Sequence, residues 1–305
     1  MIVRPKPSTL RLFFILQGSI LPTIAPRLLM ITALATVVAA VHHFNPNMFG
    51  EVPVAPFSLL GISLSLFLSF RNNACYDRWW EARKLWGQLI FEMRSFARET
   101  AALLPPEETA TRQRLIYRAI GFAHVLCARL RGEDVSSALK PWISEEEFAK
   151  TASRPNPSNT LLEACTRDLA DCVRRRSLSE FLFPMIEARL TSFSFLQTAC
   201  ERILNTPLPF AYTLLLHRTA LLFCLFLPFA VVGSFGWVTP LITALLAYAF
   251  FGLDALGDEL EDPFGLTQND LPLHAMARTI EIDLRDSLGE QNLPEPLKPV
   301  NFFLP

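Results

Sequence analysis

PFSLLGISLSLFLSFRNNACYDRWWEARKLW, running from Pro56 to Trp86, decides how the rest of the chain is read. Up to Phe70 it carries no charge and is long enough to enter a bilayer. From Arg71 it continues, with neither Pro nor Gly, into a charged and Trp-rich helix. A helix that starts in lipid and ends in water can couple a membrane constriction to a soluble vestibule. Ile62, Leu66 and Phe70 are four residues apart, so they rise on one slowly drifting helix face. Ser58, Gly61, Ser65 and Ser69 form a neighbouring stripe of small residues. In lipid, where apolar burial does not drive helix association, small residues let backbones approach closely. The two stripes suit a ring of identical helices, with small groups at the contacts and bulky apolar groups inward. The same periodicity also fits an ordinary membrane helix whose bulky residues meet lipid.

Composition points the same way. A length of 305 residues would allow two soluble domains. A mean hydropathy of +0.29, with 51% hydrophobic residues, is high for a soluble chain that is 19% charged. All 28 Lys and Arg lie outside four apolar stretches and the two short connections between them. The net charge of -1 gives no electrostatic footprint for nucleic acid. The six Cys, at 75, 127, 165, 172, 200 and 224, form no CxxC and no paired metal spacing, and they read as packing thiols in a reducing compartment.

Residues 1–27 hold Arg4, Lys6, Arg11 and Arg27 around the patch Leu10–Leu16, which is too short and interrupted for a signal peptide. They read as an uncleaved cytosolic segment at the membrane surface. Residues 28–70 supply two membrane helices, Leu28 to Phe44 and about Phe57 to Phe70. The loop Asn45 to Pro56 between them has three prolines and one charge, Glu51. The adjacent His42 and His43 point to different helix faces and read as an interfacial pair rather than metal ligands.

Residues 71–210 are charged, amphipathic and poor in Gly, which predicts a helical cytosolic domain. Within it Pro105-Pro106 breaks one helix and Thr109 to Arg131 makes another. Ser144 and Glu147 have capping-box spacing, Arg154 to Pro157 is a loop, and Thr160 to Arg176 is a further helix. Residues 213–256 hold two more spans in a hairpin, divided at Gly233–Gly236 and Pro240. Residues 257–305 form a cytosolic C-terminal segment, acidic and then Pro-rich, which either wraps a neighbouring subunit or is disordered. Arg27, Arg71, Arg78 and Arg218 flank one side of the spans, whereas the Asn45 loop and the Gly233 turn have no Lys or Arg. The positive-inside rule therefore puts both termini in the cytosol of a multi-pass protein of the cell inner (plasma) membrane.

Catalytic motifs are missing: no Walker loop, GxGxxG, GxSxG or HExxH occurs. The five His, at 42, 43, 124, 217 and 274, are scattered. Asp168 with Asp171, and Glu145 to Glu147, read as solvated helix faces, and so does the run Arg174 to Arg176. The chain is therefore not read as an enzyme, and no cofactor or metal is expected.

Three segments carry a family resemblance. Ile62 to Phe70, followed by Arg78-Trp79-Trp80, resembles the second membrane helix of bestrophins. Asn205 to Thr213 resembles the Pro and Tyr-Thr pattern that leads into the third. Glu261-Asp262-Pro263-Phe264-Gly265 resembles the family's Asn-Pro-Phe-Gly segment, with Asp262 in place of Asn. The resemblance implies an all-α membrane protein with four transmembrane helices per subunit and a helical cytosolic domain. It further implies a bestrophin-like homopentamer with one central pore, whose partners are the lipid bilayer and small inorganic ions. It assigns Ile62, Leu66 and Phe70 to a hydrophobic pore neck that gates by dewetting. It assigns a second, cytosolic constriction to Phe181, with Leu178 or Leu182 as alternatives.

After Gly265 the chain departs from the eukaryotic pattern. Only Asp270 follows where several carboxylates would hold Ca²⁺, and a hard cation wants about 6 to 8 oxygens, so no activation of the eukaryotic kind is expected. An apolar neck does not choose an ion's sign. Asp258, Glu259, Glu261 and Asp262 could attract cations, the family name favours chloride, and both selectivities stay open. A non-conducting scaffold or sensor is the other class that fits.

Overall fold

The computed structural model describes residues 1–5, 7–12, 14–49 and 53–305; Lys6 and the loop charge Glu51 lie outside the described residues. It is all-helical, and among the described residues there is no strand, only isolated bridges of Ile2 and Val300 with Phe303. The helices are α1 (Thr9–Leu12), α2 (Leu21–Phe44), α3 (Val54–Leu103), α4 (Thr109–Arg131), α5 (Val135–Leu139), α6 (Glu145–Ala152), α7 (Pro157–Arg174), α8 (Phe183–Asn205), α9 (Phe210–Phe235), α10 (Thr239–Glu261) and α11 (Leu273–Ser287). The chain divides into two compact units, Pro5–Trp79 with Pro207–Pro263, and Met1–Arg4 with Trp80–Thr206 and Phe264–Pro305.

Among the described residues, three helical stretches are long and apolar enough to cross a membrane: Leu21–Phe44, Val54–Leu103, whose start lies in the first unit, and Phe210–Glu261. The last is broken by a 3₁₀ turn, Gly236–Val238, into α9 and α10. Gly236 makes that break possible, because its φ of +49° is a left-handed backbone that side chains disfavour. Pro240 then sits in the first turn of α10, where its missing N–H costs nothing. The first span begins at Leu21 rather than at Leu28. Pro22 is tolerated in the opening turn, and Arg27 does not end the helix because it turns toward Asp254, 4.0 Å away. α2, α9 and α10 pack around Ile24, Ile31, Ala220, Phe223, Leu227, Phe250 and Phe251, with Leu64 and Leu68 of α3 in the same core.

The small-residue stripe of α3 is divided in use. A Cβ on Gly61 would stand 3.2 Å from the Phe223 ring, so Gly61 serves packing inside the chain; Ser58, Ser65 and Ser69 stay exposed.

In the second unit α4 is buried nearly all round, as an apolar-faced central helix must be, with α7, α8 and α11 against it. Phe193 of α8 contacts both Phe96 and Phe122, at ring-centroid distances of 5.5 and 5.8 Å. α4 spans the residues expected of it, and α3 ends at Leu103 just before Pro105-Pro106. Only half of the capping box forms. Ser144 Oγ accepts the Glu147 N–H, but the Glu147 carboxylate takes two hydrogen bonds from Arg118 instead. α7 starts at Pro157 rather than Thr160, because Asn156 caps it by accepting the Asn159 N–H.

All six cysteines are buried and free. Burial pushes the Cys127, Cys165 and Cys200 thiols up to about 12, which keeps them inert. The last residues pair with the start of their own chain and with α11. Leu304 N–H donates to the Met1 carbonyl, Val3 N–H to the Phe302 carbonyl and Ala275 N–H to the Pro305 carbonyl, while Arg4 lies 4.8 Å over the Phe302 ring.

Candidate functional site

α3 carries two opposed stripes. Leu64, Leu68, Arg71 and Cys75 follow steps of four, three and four residues and are all buried. Ile62, Leu66 and Phe70 are 68%, 51% and 55% exposed in the single subunit. At about 100° per residue the mean directions of the stripes differ by about 170°. The helix is thus anchored along one side and leaves large apolar side chains uncovered along the other.

The anchored side is unusual in holding a charge. Arg71 has no exposed surface, and its guanidinium is met by one face of α10. Nη1 donates to the Asp254 carbonyl and to Asp254 Oδ1, both at 3.2 Å; Nη2 donates to Asp258 Oδ1 at 2.5 Å and to Glu261 Oε2 at 3.4 Å. Asp254, Asp258 and Glu261 stand at i, i+4 and i+7, so their carboxylates align on one helix face. Gly257 between them leaves the room: a Cβ there would lie 3.0 Å from Arg71 Nη1 and 2.7 Å from Asn72 Oδ1.

Neighbouring bonds tighten the attachment. Asn72 Nδ2 donates to the Leu253 carbonyl at 2.9 Å, Tyr212 Oη to the Phe67 carbonyl at 3.1 Å, and Arg78 Nε to the Glu261 carbonyl at 2.6 Å. His217 Nδ1 lies 2.7 Å from Asp254 Oδ2, and Glu261 Oε1 accepts the Leu208 N–H. In the sequence alone Arg71 reads only as a positive flank of the span. The signal that marks it is its register, a charge in the three-and-four repeat that otherwise holds Leu64, Leu68 and Cys75.

The remaining assigned residues fall as follows. Of the acidic run, Asp258 and Glu261 are bound to Arg71, Glu259 is half-buried and Asp262 exposed. Arg78 and Trp79 are half-buried and Trp80 exposed; Pro263 and Phe264 are buried and Gly265 half-buried. Asp270 is buried and closes its own turn, accepting from the Thr267 N–H at 2.6 Å and the Thr267 hydroxyl at 2.8 Å. Phe181, in the turn ahead of α8, is 82% exposed, whereas Leu178 is buried and Leu182 half-buried. A core role for Phe181 is thereby removed.

Several carboxylates and histidines outside this site are engaged in structural pairs. Asp168 takes Arg114 and Arg118, and Asp171 takes Arg174. His124 stacks on Trp142 and meets Glu281, and His274 meets Glu133. Burial pushes the Glu281 carboxyl up, but the bond from His124 and the charges of Arg278 and Arg285 outweigh it and hold the group below its ordinary range.

The helices and the stripes of α3 define an all-helical membrane protein with apolar spans. Comparison with known proteins narrows this. A family model described as bacterial/fungal bestrophin matches residues 1–286. A voltage-dependent anion channel-forming protein of Mesorhizobium japonicum is 44% identical over 290 residues, covering 95% of this chain and 93% of the relative. One of the same description from Escherichia coli K12 is 41% identical, covering 98% of each. The crystal structure of a bacterial bestrophin homologue from Klebsiella pneumoniae superposes with a TM-score of 0.85 at 36% identity, covering 88% of this chain and all of that one. The chain belongs to the bestrophin family. Its relatives are named for forming channels, and nothing in those names points to a catalysed reaction.

Proposed function

We propose that the chain is the subunit of a homopentameric channel for small monovalent ions, with one central pore whose neck is lined by Ile62, Leu66 and Phe70. The observation that carries this is the exposed stripe of three large apolar residues on a helix whose opposite face is fully engaged. Left in water these side chains would cost about 1.5 to 3 kcal/mol each relative to burial. In a ring of subunits they face one another and form three stacked apolar constrictions, which exclude water when narrow and admit hydrated ions when slightly widened. Each subunit crosses the membrane four times, through α2, the first part of α3, α9 and α10, with both termini in the cytosol of the inner membrane. Phe181 forms a second constriction on the cytosolic side.

The names of the relatives support anions as the permeant ions. The half-exposed carboxylate of Asp258 and the exposed Asp262 favour the second reading, monovalent cations.

The test is the reversal potential of purified protein in a planar bilayer under a KCl gradient, with Leu66→Ala alongside. A potential near the Cl⁻ equilibrium value supports the anion channel, and one near the K⁺ value replaces it with the cation channel. Leu66→Ala raises conductance if the neck is the barrier. Unchanged currents move the gate elsewhere, and no current from either protein favours a non-conducting scaffold.

A further inference from the structure

We propose that Arg71 is a positioning residue for the gate: its charge clamp to α10 sets the width of the neck formed one residue away by Phe70. The inference rests on the neck reading above and deepens it.

An arginine at the end of a span ordinarily lies in the headgroup layer, exposed and solvated. Arg71 instead has no exposed surface and reaches three carboxylates of a single helix face, with Gly257 opposite to admit it. An ionisable group held this way within a membrane unit is expensive and calls for a function. The guanidinium is suited to the task, because a rigid planar fork meets several oxygens at defined angles. Phe70 and Arg71 share a peptide bond, and their side chains diverge by about 100°. Any movement that pulls the guanidinium away from Asp254, Asp258 and Glu261 therefore carries Phe70 with it. Further polar ties of α3 in this unit lie within about three turns around it, at Phe67, Asn72 and Arg78. Further toward the start of α3 the contacts are apolar, with Leu64 and Leu68 in the shared core. The clamp is thus the strongest directional bond at the neck's last ring. Loosening it takes the arginine partner from Asp258 and Glu261 beside α3, while Asp254 keeps His217, and lets the helix shift.

The test uses the reconstituted channel. Phe70→Cys introduces a reporter thiol while all six native thiols are buried, so modification by a charged methanethiosulfonate reagent reads the neck. Adding Arg71→Met should speed that modification about fivefold, a size typical of side-chain networks that couple sites. On the Phe70 background, Arg71→Met should raise flux to a similar degree without moving the reversal potential. Arg71→Lys, which keeps the charge but not the fork, should restore part of the wild-type rate.

A merely structural Arg71 would lower the yield of assembled channel and leave the assembled fraction's rates alone, which overturns the proposal. If Arg71→Met does not assemble, Asp258→Asn removes the charge of a half-exposed partner and should give a smaller rise in both rates; no rise overturns the proposal. Leu66→Ala separates the two readings. If it leaves flux unchanged, the neck itself is wrong and the clamp proposal falls with it. If it raises flux while assembled Arg71 variants change nothing, only the clamp is wrong.

Discussion

Glu108→Gln should lower the stability of the channel at neutral pH and flatten its acid dependence. Glu108 closes the 3₁₀ turn Pro106–Glu108 ahead of α4. Its carboxylate accepts the Thr111 hydroxyl at 2.6 Å, the Ser177 hydroxyl at 2.7 Å and Arg175 Nη2 at 2.9 Å, and so ties α4 to the loop that carries Phe181. The hydroxyl bonds from Thr111 and Ser177, and then the Arg175 charge, bring its pKa from the ordinary 4.5 down to about 2. At ~1.36 kcal/mol per unit that displacement caps the contribution at ~3 kcal/mol. Glu108 is 12% exposed and Arg175 56% exposed, so water screens the ion pair and ~1 to 2 kcal/mol is the expected size.

The sign follows from the direction. A depressed carboxylate stabilises the fold above its unfolded pKa, and the benefit is lost as pH falls from about 5 toward about 2. Thermal unfolding of the purified channel should show wild type well above Glu108→Gln at pH 7 and the two converging near pH 2. A variant that stays equally far below wild type at pH 7 and at pH 3 would refute the argument, since the loss would then be one of shape and not of charge.

Two further substitutions probe the sites directly. Phe181→Ala should leave the unfolding midpoint within about 0.5 kcal/mol of wild type, as exposed positions do, while altering the current–voltage relation; a loss of about 3 to 5 kcal/mol would mark a core residue instead. Gly257→Ala should destabilise by about 1 to 3 kcal/mol despite the better helix propensity of Ala, because the new methyl collides with Asn72 and Arg71, and Asn72→Ala should recover part of the loss in the same unfolding assay.

The apolar spans and α4 were legible in the sequence because composition and local punctuation decide them. Uncharged runs of sufficient length need no tertiary information, and Pro105-Pro106 and Gly236 act where they stand. What could not be read depended on partners far along the chain. Arg71 looks like any flanking charge until α10, some 183 residues later, presents Asp254 to it. Gly61 reads as a subunit contact until Phe223 is seen to fill the space beside it. The final residues look like a loose tail, because the backbone bonds from Val3 N–H to Phe302 and from Leu304 N–H to Met1 leave no trace in side-chain pattern. The neck residues were chosen by four-residue spacing and family resemblance. The structure adds a fact that spacing lacks, namely that the opposite stripe is buried and theirs is not.

That opposition also bears on ion choice. The run from Asp258 to Asp262 reads as a concentrated negative charge when taken alone. In the folded unit, Arg71 faces Asp254, Asp258 and Glu261, Arg27 approaches Asp254, and Arg78 donates to the Glu261 backbone. Arg71 and Arg27 thus offset part of the charge of Asp254, Asp258 and Glu261, at distances well under the ~8 Å screening length. Under the proposed clamp the cluster acts on the neck mechanically, through Phe70. Under the same proposal the apolar neck does not choose the ion's sign, and selection falls to charges elsewhere along the pathway. The clamp proposal therefore expects substitutions at Arg71 and its partners to change the size of the current and to leave the reversal potential where it is.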